Sequence, residues 1–132
     1  MSRIFVVDAS VVVDLLARFR PKPLEDLLWA PNTVLAAPEL IDIEVLNALR
    51  KLDQAGAIPP SRSVDLPVLL RSLRIHKYGH HNLIDGIWSL RANVTAHDAA
   101  YVTLARVLGA TLVTRDTRLA KAPGLDIPVV VP

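Results

Sequence analysis

The chain has 132 residues, enough for one domain and too few for two comfortable cores. Hydrophobic residues make up 52% but aromatic ones only 5%, so Val, Leu, Ile and Ala must fill the core, as in a buried parallel sheet covered by helices. The absence of cysteine excludes disulfides, thiolate metal sites and cysteine nucleophiles, and a net charge of +2 is only a weak pull toward a polyanion.

Residues 4–7 (IFVV) are apolar and mostly β-branched, followed by Asp-Ala-Ser and apolar positions that continue through Leu15 and Leu16. This predicts a buried strand, a turn, and a helix with Ser10 as its N-cap. Asp8 and Asp14 interrupt the apolar stretch, and no run approaches the ~20 apolar residues of a membrane-spanning helix. The expectation is a soluble, cytoplasmic protein without membrane attachment. A second apolar run, 34–37 (VLAA), ends at Pro38, which is placed in the first turn of a helix running to about Ala55 and closed by Gly56. Pro59 and Pro60 introduce a further helical stretch through Leu70, and 82–92 reads as helix.

The last third carries the strongest pattern. Thr95 followed three residues later by Asp98 resembles a capping box, opening a helix that carries Ala99, Val102, Leu104, Ala105 and Leu108 and stops at Gly109. Residues 111–114 form the next strand, 116–122 a short helix and 129–131 a final strand. Strands alternating with helices predict an α/β fold, a central mainly parallel sheet sandwiched between helices, in a single domain spanning 1–132.

In such sheets, ligands bind outside the carboxyl ends of the strands. Asp8, Asp98 and Asp116 all fall there; taken singly, each is also explained as a helix-capping or dipole-favoured acid. Glu44 sits at the edge of a helical apolar face through Ile41, Val45, Ala48, Leu49 and Leu52. A carboxylate partly withdrawn from water needs a partner, and neither Arg50 nor Lys51 is at the three- or four-residue spacing that would supply one. A metal ion or an arginine from elsewhere in the fold would serve. Carboxylates gathered without a cation repel and raise one another's pKa. Oxygen-only ligation suits Mg²⁺ or Mn²⁺ better than zinc, and such an ion can activate water against a phosphodiester.

The segments VVDASVVVDLL, APELIDIEVLNALRK, TAHDAAYVTLARVLGATLVTRDTRLAKAPG and IPVVVP together resemble the PIN-domain toxins of the VapC family, leaving only 57–93 weakly informative. The resemblance implies a PIN-like fold in which Asp8, Glu44, Asp98 and Asp116 form an acidic quartet binding Mg²⁺ or Mn²⁺. It further implies that Ser10, Asn47 and Thr114 line the same pocket. The implied function is endonucleolytic cleavage of RNA by a toxin, often a homodimer, restrained by a cognate antitoxin protein. Two departures stand out: His97 precedes Asp98 where an aromatic is common, and Arg115 lies inside the Thr-x-Asp motif.

Neighbouring helical side chains point about 100° apart, so His97 is assigned a surface or supporting role rather than that of a ligand. His80 and His81 have no nearby acid or third histidine in sequence and are assigned to a loop. Arg91, Arg115, Arg118 and Lys121 are candidates for RNA phosphates, Arg115 foremost. Two other functions compete. A catalytically silent PIN-fold scaffold would be expected to lose some of the four acids. An aspartyl-phosphate phosphatase would need a second Asp two residues after Asp8, where Ser10 stands, and a receiver domain would need an early acidic pair and a late lysine.

Overall fold

A computed structural model describes residues 2–17 and 21–132. Five strands, β1 (Arg3–Val7), β2 (Thr33–Pro38), β3 (Ile75–Tyr78), β4 (Thr111–Val113) and β5 (Val129–Val130), form one parallel sheet in the order β3-β2-β1-β4-β5. Among the described residues the helices are α1 (Ala9–Ala17), α2 (Pro21–Leu28), α3 (Ile41–Gln54), α4 (Pro60–Ser63), α5 (Leu66–Ser72), α6 (Ile84–Ser89), α7 (Ala96–Leu108) and α8 (Thr117–Ala120). No helix among the described residues is long and apolar enough to cross a membrane.

The central strand β1 is buried through Phe5, Val6 and Val7 because it has neighbours on both sides and helices over it. Right-handed crossovers put the helices between β1 and β3 on one face of the sheet and those between β3 and β5 on the other. On the first face α1 packs against α2, α3 and α5; α7 packs against β1, β2 and β4. Residues 99–105 of α7 are all buried, including Tyr101, Val102 and Leu104, so this helix has almost no solvent face along its middle. Gly109 ends it in a left-handed conformation (φ 61°) that L side chains avoid.

Several expected boundaries move. Ser10 is not the N-cap of α1: the helix starts at Ala9, and Asp8 accepts from Val11 N through both its backbone oxygen (3.2 Å) and Oδ1 (3.3 Å). Pro38 does not open a helix but ends β2, opposite Tyr78 in the β2–β3 register, and α3 begins three residues later. The single helix expected from Pro60 to Leu70 is two, broken at 64–65. Pro67 accounts for the break: it lacks an N–H and would clash with the carbonyl four residues back, whereas in the first turn of α5 neither matters. The helix expected over 82–92 is a 3₁₀ turn (His81–Leu83) leading into α6. Strand β3 and helix α2 had no counterpart in the sequence reading.

Candidate active site

The chain leaves β1 toward one edge of the sheet and β4 toward the other, so the crevice past their carboxyl ends is the place where open α/β sheets bind ligands. Asp8 follows β1 directly and Thr114 follows β4; Asp8 N donates to Val113 O at 3.1 Å, joining the two strand ends.

Asp8 is buried, at 7% exposure, and both carboxylate oxygens are engaged. Ser10 Oγ donates to Oδ1 and Thr114 Oγ1 to Oδ2, each at 2.5 Å. Both hydroxyls are themselves oriented from behind. Arg115 N donates to Ser10 Oγ at 3.0 Å and Asp116 N to Thr114 Oγ1 at 2.9 Å, which leaves the hydroxyl protons aimed at Asp8. Burial pushes the Asp8 carboxyl above the usual aspartate range; the Ser10, Thr114 and Val11 hydrogen bonds partly oppose this, and the negative charge of Asp98 adds to it.

Glu44, in the first turn of α3, accepts from Tyr101 Oη at 2.6 Å. Tyr101 is 2% exposed, and its phenol is held far above the usual tyrosine range, first by burial, then by the bond to Glu44 and the charges of Glu44, Asp8 and Asp98. Three of the four predicted acids therefore act on one phenolic oxygen. Asp98 is not a cap: Thr95 is, accepting from Asp98 N at 3.2 Å, so the Asp98 carboxylate has no such task. Asp116 is a cap, its Oδ1 accepting from Arg118 N (2.9 Å) and Leu119 N (3.2 Å) at the start of α8, while its backbone N–H is linked to Asp8 through the Thr114 hydroxyl.

The four acids ring one end of the sheet, but among the described residues no three Asp, Glu or His side chains stand close enough to hold a metal by themselves. Glu44 is turned onto Tyr101 and Asp116 onto α8. The donor chemistry nevertheless fits a hard divalent cation. Among the described residues Asp8, Glu44 and Asp98 enter no ion pair, and their donors are all oxygen. Mg²⁺ is characteristically bound by one or two carboxylates with water and substrate phosphate completing the shell, so a closed cage is not required.

The supporting residues divide. Ser10 and Thr114 lie against Asp8, whereas Asn47 is exposed, one turn along α3 from Glu44. Arg115 departs from its expected RNA-facing role: its guanidinium is 2.9 Å from Asp14 Oδ2 with both side chains largely covered, and it also donates to the carbonyl of Pro132. The positive charge is thus committed to holding α1 and the chain's end beside β4. His97 and His81 are exposed, while His80 Nε2 accepts from Leu40 N at 3.0 Å ahead of α3. Tyr101 is the site residue that the sequence reading missed. The available signal was its place one turn after Asp98 on the same helix face.

A model of the PIN domain matches residues 5–125. The chain is 38% identical over 117 residues to ribonuclease VapC3 of Mycobacterium tuberculosis, covering 89% of this chain and 85% of that protein. It is 40% identical over 121 residues to ribonuclease VapC1 of the same organism, covering 91% of each. In fold it is similar to VapBC2 from Rickettsia felis, solved bound to a DNA fragment from its promoter, with a TM-score of 0.72 at 15% identity over 96% of this chain and 97% of that one. Acids at the switch point of a parallel sheet, a domain match over most of the chain and two relatives matched over most of their length agree: the chain belongs to the PIN-domain family, among the VapC ribonucleases.

Proposed function

We propose that this chain, acting as one PIN domain, is a metal-dependent endoribonuclease and the toxin of a toxin-antitoxin pair. The observation that carries the reading is Asp8: a buried carboxylate at the β1/β4 switch point, held by Ser10 and Thr114, within electrostatic reach of Asp98 and, among the described residues, without an ion pair. Asp8 and Asp98 would hold a divalent ion, Mg²⁺ or Mn²⁺, with Glu44 and Asp116 at its margin. When bound, that ion supplies a Lewis acid for the phosphodiester and a water of lowered pKa.

The chain's own residues do the remainder. Ser10 and Thr114 fix the orientation of Asp8, and Tyr101 fixes Glu44. The protonated phenol cannot act as a base at neutral pH, so Tyr101 is a positioning residue. An acidic pocket gives an inhibitory antitoxin a reason to insert an arginine, and the family resemblance supports such a partner and a homodimer.

Purified protein incubated with a mixed RNA pool, with Mg²⁺ or with EDTA, tests the reading. Cleavage should require the metal, and mapped ends should carry 5′-phosphate and 3′-hydroxyl groups, because water adds to phosphorus while the P–O3′ bond breaks and the O3′ leaves as a hydroxyl, with no use of the ribose 2′-hydroxyl. Freshly cut ends bearing 2′,3′-cyclic phosphate, or cutting undiminished in EDTA, would defeat it.

A further inference from the structure

Beside Asp98 opens a groove of about 440 Å³ between the turn at 91–95 and α8, lined by Arg91, Asn93, Thr95, Asp98, Arg118 and Leu119. Its two walls are tied together. Asn93 Nδ2 donates to Pro123 O at 2.6 Å and sits where a Cβ on residue 124 would have to be, 2.5 Å away, so only Gly124, at φ +77°, accepts the contact. The groove is therefore a built feature, with an acid at its inner end and an arginine on each wall.

The two arginines differ. Arg118 is 86% exposed, and its contact with Asp116 Oδ2 is long, at 3.8 Å, a surface pair that a phosphate can replace at little cost. Arg91 is held: its guanidinium carbon lies 4.8 Å from the centre of the Trp88 ring, and Nη1 donates to Trp88 O at 3.0 Å. Trp88 is 66% exposed on α6, an unusual place for the largest apolar side chain. A guanidinium plane backed by an indole and facing a groove is a stacking platform for an unpaired nucleobase.

We infer that this groove seats the RNA strand flanking the scissile phosphate, Arg118 contacting the backbone and Arg91, backed by Trp88, stacking one unpaired base. The assignment rests on the nuclease reading and deepens it by naming the groove and the residues that seat the strand beside the acids. Duplex RNA keeps its bases stacked and presents none to Arg91. Asp98 alone would repel the polyanion; the two cations offset that repulsion where the strand approaches the acids.

The test is binding of a short fluorescein-labelled single-stranded RNA of mixed sequence, measured in EDTA so that nothing is cut. Arg91→Ala and Trp88→Ala should each weaken binding about ten-fold, and Trp88→Phe should restore most of it. Arg118→Gln should weaken binding and lower the slope of log affinity against log salt by about one. In a Trp29→Phe background the remaining indole, Trp88, should change its emission on adding this RNA and not on adding an abasic strand of equal length. If wild type binds and cuts RNA while Arg91→Ala and Trp88→Ala match it, the groove assignment falls and the nuclease reading stands. If wild type neither binds nor cuts, both fall. A Trp88→Ala variant with unchanged RNA affinity but reduced oligomeric mass would make α6 a protein contact and overturn the assignment.

Discussion

Tyr101 Oη lies 2.6 Å from Glu44 Oε1, a hydrogen bond that joins α7 to α3 across the mouth of the acidic site. Tyr101→Phe keeps the packing of a side chain that is 2% exposed and removes only the donor. Glu44 is partly exposed and water can replace the lost bond, so stability should fall by only about 1–2 kcal/mol. Cleavage should fall roughly ten-fold or more, with weaker apparent metal affinity, because a carboxylate at the metal's margin has lost its orientation. Denaturation and metal titration of the variant check this. An unchanged metal response would reduce the pair to packing.

Asp8 sets a pH dependence with a definite sign. Its folded-state pKa is raised above the ordinary 3.8, so the folded protein holds a proton that the unfolded chain has released. Stability should therefore decline as pH rises from about 3.8 through the raised value, and the penalty should be complete above it. Asp8→Asn carries no such charge. Metal-free denaturation curves across this range should show wild type losing stability relative to Asp8→Asn as pH increases. Parallel pH profiles for the two proteins would mean that the Ser10 and Thr114 hydrogen bonds fully offset burial.

Asp98→Asn separates a metal ligand from a cap. Because Thr95 supplies the cap, replacing the Asp98 carboxylate removes no helix-end hydrogen bond and relieves repulsion with Asp8. Without metal the variant should melt at or above the wild-type temperature, yet cleavage should be lost. Mg²⁺ should raise the melting temperature of wild type by ligand linkage and that of the variant much less. An equal rise in both would remove Asp98 from the site.

Strands β1 and β4 and helices α3 and α7 were legible because each buries a broad apolar face, which writes its period into the chain. Strand β3 was not. It lies at the sheet's edge with only Ile75 partly covered, so RIHKY carries no apolar run and no alternation. Pro38 misled because a proline is equally at home in a helix's first turn and at a strand's last residue; the choice is made by β3, forty residues on, pairing Tyr78 against it. The acids were readable as residues but not as a geometry. Glu44 left open a metal or a distant arginine as its partner, whereas the structure supplies a tyrosine from a stretch, AAYVTLA, that reads as plain core. The ion pair of Arg115 was hidden for the same reason: its anion, Asp14, lies on α1, a hundred residues earlier, and has no local signature.

The Arg115–Asp14 pair yields the last prediction. The two side chains are 11% and 18% exposed, so neither charge is well hydrated, and deleting the cation leaves Asp14 covered and without a counter-charge among the described residues. Arg115→Gln should cost about 2 kcal/mol, between the small worth of a surface pair and the larger cost of orphaning a fully buried charge. The double variant Arg115→Gln/Asp14→Asn should recover much of that loss, because it removes the stranded anion as well. A phosphate contact would behave differently. Each lysine or arginine on the RNA backbone contributes to the salt dependence of binding, so losing one lowers the slope by about one while leaving stability nearly unchanged. For Arg115→Gln the expected result is the reverse: lower stability, partial rescue by Asp14→Asn, and an RNA-binding salt slope equal to that of wild type. A reduced slope with unaltered stability would return Arg115 to the RNA surface.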